Sequence, residues 1–341
     1  MGMALCKGFP FPGGRLPDFV TCAGLQLRGS VRGLANCGLS CCINALLQTF
    51  AATTELEELL SRWQPSETFD KKNVPLELKR ALDAMKDKRQ SSPHLDFLKC
   101  LHEHNICRLT QHDADEVFHT ILNLIQKQMS DQQIAAEIKN LYKIDVEECT
   151  ECEKCRNVHR TPNIFLSFPL PLHEGENTLM DCFRMFFKPQ RLEGSEAFYC
   201  VKCEEKMSST QRCKLVSLPS ILCINLKRFR SSRGYTRKLK DKVSFPESIN
   251  MAEMLPEEHS QLAERRYRLY GVVVHTGMPM MGHYTAYIYT TDSKWYYIDD
   301  SHTHQVSWEE VQSTYGGRER ETAYMLLYRT LSSEAAPESN P

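Results

Sequence analysis

This sequence has no marked excess of positive or negative charge. Its 42 Lys and Arg stand against 43 Asp and Glu, for a formal net charge of −1. No global field therefore draws the chain to nucleic acid or to an anionic membrane. No run of apolar residues approaches the ~18–20 of a spanning helix, so membrane insertion is not expected. Glycine and proline are scarce, at 16 each in 341 residues, which excludes a collagenous or low-complexity chain. Met1 to Ser30 lacks the charged start and apolar core of a secretory signal, and the expected location is cytoplasmic, with the nucleus as a second compartment. What is present, 41% apolar and 25% charged residues, is the composition of a globular protein with ample chain for a large core. Cysteine is abundant, with 15 residues. Without an export signal, such thiols serve metal binding, nucleophilic chemistry or burial rather than disulfides.

The organisation reads as α+β. An irregular arm over 1–30 is rich in turn chemistry (Phe9-Pro10-Phe11-Pro12-Gly13-Gly14), and a polar tail over 331–341 reads as disordered. From about 31 to 145 the period is helical. Ile43, Leu46, Leu47 and Phe50 form one face, and Ala114, Val117, Phe118, Ile121, Leu122 and Ile125 another. From about 146 to 214 the chain is Cys-rich and turn-rich, an arm stiffened by something other than a large core. From about 215 to 330, runs such as Ile221 to Phe229, Tyr270 to His275, Tyr284 to Tyr289 and Ala323 to Tyr328 read as strands.

Cys152-x-x-Cys155 and Cys200-x-x-Cys203 form two knuckles, and four thiolates suit the closed tetrahedral site of structural zinc. The knuckles are farther apart than the ~15–20 residues of a compact zinc ribbon, so the ion would tie the ends of a long excursion. Unrelated reduced cysteines or a redox pair are the competing readings, and Cys149 is a spare thiol nearby.

A second thiol site lies near the start. Gly33 to Gln48 ends a Gly-containing loop and opens an amphipathic helix with Ser40 at its N-cap, which places Cys41 in the first turn. There the macrodipole and the free N–H groups favour thiolate. A cysteine opening a helix also serves capping or packing, so partners are needed. Gly282-His283-Tyr284 and Trp295 to Asp300 read as a hairpin. A turn centred on Thr291 sets His283 opposite Asp299, and a one-residue slip brings Asp300 in instead. A carboxylate so placed holds the imidazole tautomer.

The block around Cys41, Gln111-His112-Asp113-Ala114, the two knuckles, Leu226-Lys227-Arg228-Phe229, Gly282-His283-Tyr284, Trp295 to Asp300 and Tyr315-Gly316-Gly317 resemble, in order, the ubiquitin-specific protease family over about Gly33 to Tyr328. That resemblance implies a papain-like fold with a helical thumb, a β-rich palm and zinc-bearing fingers. It also implies hydrolysis of the isopeptide bond after a C-terminal Gly-Gly. It makes Cys41 the nucleophile, His283 the base and later acid, Asp299 its orienting group and Asn36 an oxyanion donor. Cys42 is a rival thiol, but the motif register favours Cys41.

Cys41-Cys42, His275-Thr276-Gly277-Met278 and Val306-Ser307-Trp308-Glu309 resemble the interferon-induced branch of the family. That branch implies the interferon-stimulated two-domain modifier and its conjugates as substrate, with ubiquitin as a further one. It also implies the type I interferon receptor and its transcription-factor partner as binding partners. Asp115 and Glu116 depart from the apolar character expected in that branch and match the general ubiquitin-cleaving pattern. A scaffold that binds the same partners without catalysis is the competing reading.

Several other features read mainly as structural. Thr110-Gln111-His112-Asp113 reads as a capping-box variant opening a helix, with Asp113 structural and His112 in the first turn as a cleft-wall or capping residue, and both also stand as candidate substrate-binding residues. His275, Gly282 and Tyr284 are expected near a narrow channel for the Gly-Gly tail, with a core histidine the competing reading of His275. Arg228, Arg230, Arg233, Arg237, Lys238, Lys240 and Lys242 read as a solvated basic hairpin tip. Without interleaved aromatics they do not make a nucleic-acid site.

Overall fold

A computed structural model describes residues 31–331, apart from 66–71, 88, 107–109, 233, 257–261, 263, 280 and 318–320. The expected N-terminal arm and all but the first residue of the expected tail lie outside the described residues.

The helical region consists of α1 (Cys41–Ala52), α2 (Thr54–Arg62), α3 (Val74–Lys86), α4 (Leu95–Glu103), α5 (Ala114–Gln128) and α6 (Gln132–Tyr142). Asp113 caps α5, accepting from the N–H groups of Asp115 and Glu116 at 2.8 and 3.4 Å. The first turn therefore starts with its donors satisfied. The periodic apolar faces of α1 and α5 meet, with Phe50 stacked on Phe118 at 5.8 Å and Tyr142 edge-on to Phe118 at 5.3 Å. Helix α1 is buried from Cys41 through Phe50, lying between the other helices and the sheet.

The strands in chain order are β1 (Ile144–Cys152), β2 (Val158–Phe165), β3 (Phe168–Leu170), β4 (Glu176–Thr178), β5 (Gln190–Leu192), β6 (Phe198–Cys200), β7 (Glu205–Met207), β8 (Ser209–Ser217) and β9 (Ile221–Leu226). They continue with β10 (Phe229–Ser232), β11 (Tyr235–Lys238), β12 (Lys242–Ser244), β13 (Ser248–Asn250), β14 (Arg266–Met278), β15 (Met281–Tyr289), β16 (Trp295–Asp299), β17 (His302–Val306) and β18 (Glu321–Thr330). The main sheet runs β17-β16-β15-β14-β18-β9-β3. It is covered on both faces, which explains why β9 is buried at every position and apolar at all but Asn225. Ile221 and Cys223 pack with the helical region, while Leu222, Ile224 and Leu226 pack on the opposite side with Phe168 and with Phe183 of α7 (Leu179–Phe187).

The Cys-rich region forms a second sheet, β2-β1-β8-β5, tipped by the β6-β7 hairpin. It is not one continuous excursion. Between β2 and β5 the chain returns to the main sheet, where β3 pairs with β9 in parallel, and α7 buries Leu179, Cys182 and Phe183. The apolar run Ile164 to Phe168 is thus the crossing point between the two sheets.

Two expectations are corrected. The β15-β16 pairing sets Tyr289 opposite Trp295, which centres the turn on Asp292 rather than Thr291. The same register runs on to put Asp299 opposite Thr285, one diagonal step along the same face from His283. The cause is Ser293, which adopts a left-handed φ of 60° and closes a three-residue loop without the glycine that would have signalled it. Arg228 is not at a solvated tip. It is fully buried, and its guanidinium donates to the main-chain oxygens of Ala323 (2.7 Å), Leu239 (3.2 Å), Asp241 (2.8 Å) and Tyr315 (3.2 Å). Burial lowers its pKa to about 10, still a cation at neutral pH.

Candidate active site

The site forms where the N-terminus of α1 meets β15 and the turn after β16. Ser40 occupies the N-cap position but does not cap with its side chain. Its Oγ instead accepts from the Cys37 N–H at 2.9 Å and donates to Asn36 Oδ1 at 3.3 Å. This leaves N–H groups of the first turn without an intrahelical partner, and Cys41 opens that turn only 3% exposed. His283 Nε2 lies 2.6 Å from Asp299 Oδ1 and 4.0 Å from Asp300 Oδ2. With Nε2 committed to Asp299, Nδ1 is the ring nitrogen left for Cys41. The hydrogen bond to Asp299, and next the one to Cys41, hold the His283 pKa up at about 10, so the imidazolium is the neutral-pH form. Asp299 is held below the ordinary carboxylate range by the same contact.

Asp300 does a different task. Its left-handed φ of 48° turns the side chain back toward the loop before α1. There Oδ2 accepts from Asn36 Nδ2 at 2.8 Å and Oδ1 from Asn44 Nδ2 at 2.7 Å. The Asp300 main-chain oxygen accepts from the Leu34 N–H at 2.8 Å. Gly33 makes this approach possible: a Cβ there would lie 2.4 Å from the Ser301 carbonyl oxygen. His94, fully buried, reinforces the loop, with Nε2 2.9 Å from the Ala35 oxygen. Asn36 therefore spends one amide hydrogen on Asp300 and keeps one for another acceptor.

The five expected substrate-binding positions divide. Gly282 lines the cleft beside His283, pinned by Gln111, whose side chain exchanges hydrogen bonds with both its N–H (2.7 Å) and its C=O. Asp113 is committed to capping α5 and to the hydroxyl of Tyr324. His112 sits just outside the helix rather than in its first turn, with Nε2 3.5 Å from Thr110 Oγ1. Tyr284 is buried, its hydroxyl accepting from the Ala114 N–H at 3.3 Å. His275 is 0% exposed and does not face a channel. Its ring is packed edge-on to Tyr284 at 4.8 Å and Phe229 at 5.0 Å. Burial lowers its pKa to about 3, so it is neutral, and neither ring nitrogen has a described hydrogen-bond partner. It supports Gly282 from beneath, where a Cβ would come 2.1 Å from His275 Nε2. Asn44 and His94 were not visible as site components, and Asp300 and Gln111 were visible only in other roles, since each acts across the chain on the loop or turn that carries another.

The four knuckle cysteines converge. Sγ atoms of Cys152 and Cys203 are 3.9 Å apart, those of Cys155 and Cys200 3.5 Å, and all four lie within 4.8 Å of one another. A tetrahedron with M–S bonds of ~2.3 Å has S···S edges of about 3.8 Å. The two knuckles also repeat each other. Arg156 and Glu204, each just after the second cysteine, have φ of 58° and 59° and donate their N–H to the Cys152 and Cys200 oxygens at 2.9 and 2.8 Å. This donor set can hold a metal ion, with no position left open for substrate. Cys149 stands apart, its Sγ directed to Glu147.

A thiol at a helix start, beside an imidazolium that a carboxylate holds, is the apparatus of a cysteine hydrolase. The sequence profile of the ubiquitin carboxyl-terminal hydrolase family matches residues 32–328, and the chain belongs to that family as a cysteine-type deubiquitinase. Among curated relatives, it is 35% identical to Ubl carboxyl-terminal hydrolase 18 of Mus musculus, an alignment covering 88% of this chain and 86% of the relative. It is 33% identical to the Homo sapiens protein of the same name, over 87% and 84%. Among solved structures, a chain of the SAGA Ubp8/Sgf11/Sus1/Sgf73 DUB module bound to ubiquitin aldehyde has the same fold, with a TM-score of 0.74 at 23% identity, covering 88% of this chain and 70% of that one.

Proposed function

We propose that this chain removes a ubiquitin-like modifier from lysine side chains, with Cys41 as nucleophile. The observation that carries this reading is the convergence of Cys41 with the His283–Asp299 pair, 2.6 Å apart. Cys41 Sγ, as thiolate, attacks the carbonyl carbon of the modifier's terminal glycine. The developing oxyanion takes the free amide hydrogen of Asn36 and the Cys41 main-chain N–H. The intermediate collapses to a thioester as His283 gives its proton to the departing lysine amine. Neutral His283 then takes a proton from water, which attacks the thioester and restores the thiolate and imidazolium. Asp299 keeps the ring oriented throughout. The metal at the knuckles is zinc in this reading, and it is structural.

The modifier is the interferon-stimulated one, acted on in the cytoplasm and nucleus, with restraint of type I interferon signalling through the receptor and its transcription-factor partner as the biological consequence. Support comes from the motif resemblance and from the two relatives named Ubl carboxyl-terminal hydrolases. Ubiquitin is a second substrate on one specific observation. Asp115 is not an apolar contact: its carboxylate accepts from Ser167 Oγ at 2.6 Å and Asn225 Nδ2 at 2.5 Å, and His119 Nε2 lies 3.0 Å from the same Ser167 Oγ. Asp115, Ser167 and Asn225 are buried, so the polarity lies inside the α5–β9 packing, and the exposed Glu116 beside Asp115 is what keeps the surface there acidic rather than apolar as expected of the interferon-induced branch.

Two electrophilic probes test both statements, one built on ubiquitin and one on the interferon-stimulated modifier, each with a Cys41→Ala control. Labelling by the second alone makes the chain a dedicated deconjugase, and labelling by both gives it the wider range. Absence of Cys41-dependent labelling by either overturns the hydrolytic reading in favour of the scaffold.

A further inference from the structure

Behind the catalytic cleft, the C-terminal half of α1 meets the outer ends of β14, β15 and β18 around a cavity of about 440 Å³. That volume falls within the ~300–1,000 Å³ of ligand sites. The floor is apolar, with Ala51, Leu82, Met85 and the edge of Tyr270, whose ring face lies under Arg329 at 4.6 Å. Ala51 lies ten residues beyond Cys41 on the same helix, roughly 15 Å along its axis at about 1.5 Å per residue. The cavity is therefore separate from the peptide-bond chemistry.

The rim is cationic. Lys86 and Arg329 are neutralised, by Glu57 at 2.5 Å and Glu55 at 2.7 Å. Arg32 and Arg268 make no ion pair with a described residue. Arg32 donates from Nη1 to the main-chain oxygens of Ala84 (3.1 Å) and Asp87. Arg268 donates from Nη2 to the Tyr289 hydroxyl at 2.9 Å and lies over that ring at 4.6 Å. Two guanidinium groups, one on the segment before α1 and one on β14, are thus held in place by neutral acceptors, with the Asp87 carboxylate acting on Arg32 from nearby and Arg268 the less compensated of the two. Guanidinium forks match carboxylates in paired hydrogen bonds. An apolar floor built on Met and Tyr, inside an arginine-bearing rim, has the composition of an interface anchor pocket.

We propose that this cavity docks an acidic peptide segment of a partner protein. One apolar side chain of the segment seats on the Met85 and Tyr270 floor, and flanking carboxylates pair with Arg32 and Arg268.

The test uses the whole chain carrying Cys41→Ala, so that it does not depend on hydrolysis. The probe is a fluorescein-labelled acidic peptide, Gly-Glu-Asp-Leu-Phe-Glu-Asp-Gly, followed by anisotropy. Saturable binding is expected, weakened about tenfold or more when Arg32→Gln and Arg268→Gln are combined, as loss of charge-assisted hydrogen bonds requires. Leu82→Trp, which fills the floor, is expected to abolish it. Both variants are checked for an unchanged unfolding temperature, and Arg268→Gln alone serves if the double variant fails to fold. No saturation by about 1 mM, or saturation indifferent to these substitutions, overturns the proposal. Octanoate binding as tightly as the peptide overturns it too, by making the cavity a small-molecule site.

Discussion

The junction that carries Cys41 and the arm that carries the knuckles achieve order by different means. At the junction, α1 is buried from Cys41 through Phe50, and both faces of the main sheet are covered. In the arm, β2 is exposed along almost its whole length, and the ion pairs, such as Arg191 with Glu153 and Arg156 with Glu151, are on the surface. Packing positions the first region. The second has too little apolar surface to do so, and its tip brings together four cysteines that can hold a metal ion. The junction should therefore lose function by small chemical changes without losing its fold, whereas the arm should lose shape when its staple is removed.

The largest effect belongs to Cys41→Ala, expected to lower turnover by ~10⁴-fold or more, in the range of nucleophile deletions, with the unfolding temperature nearly unchanged. A large drop in that temperature would mean that the thiol is a packing residue. Asp299→Asn comes next, at ~10²–10⁴-fold in kcat. It also has a pH signature. Asp299 is the main cause of the raised His283 pKa, so its loss moves the alkaline limb of the kcat/KM profile downward from about 10. The folded-state pKa lies above the unfolded ~6.5. The pair's contribution to stability is thus full below about pH 6.5 and is lost as pH rises through about 10. An unmoved alkaline limb would assign it to another group. Asn36→Ala is expected to cost ~10²-fold in kcat with KM little changed, and an effect confined to KM would remove it from the oxyanion site.

Metal removal tests the other region. Chelation with Cys200→Ser is expected to release metal measurable by mass spectrometry and to expose β1 and β8 to proteolysis. It should raise KM for a full-length modifier by about tenfold, within the effects typical of altered metal sites. A short C-terminal peptide amide, which cannot reach the arm, should be cleaved as before. Equal losses on both substrates would show that the two regions are not separable. Arg191→Ala should have the smallest effect, leaving the unfolding temperature nearly unchanged, because its pair with Glu153 is exposed. A larger loss would make surface ion pairs a second source of order in the arm.

The same contrast governs what the sequence made readable. Helical faces and the knuckle spacing are local patterns found where their period or spacing indicated, whereas the run Ile221 to Phe229 is β9 only as far as Leu226, with β10 starting at Phe229. The His283 contact was reached through a register two positions off in the partner strand. It survived because that shift keeps a residue on the same face. Ser293 at a left-handed position was the hidden cause. Arg228 looked like one of a basic run, since its four acceptors are main-chain oxygens that leave no trace in side-chain chemistry. Asp300 and Gln111 act on loops remote in sequence, which no local pattern reports, and His275 was placed at a channel wall because burial depends on neighbours from distant strands.

The position of β18, between β14 and β9, has a consequence for synthesis. It is the last described strand, yet it lies in the middle of the sheet, and its neighbours have an open ladder until it arrives. Cys41 and His283 leave the ribosome roughly 12–50 s apart at ~5–20 residues per second. A nascent chain ending before Glu321 already holds every catalytic group and lacks the strand that brings β14, and hence β15, against β9. Premature termination there is expected to yield an aggregation-prone, inactive product, so the cell obtains hydrolysis only from chains translated through Thr330.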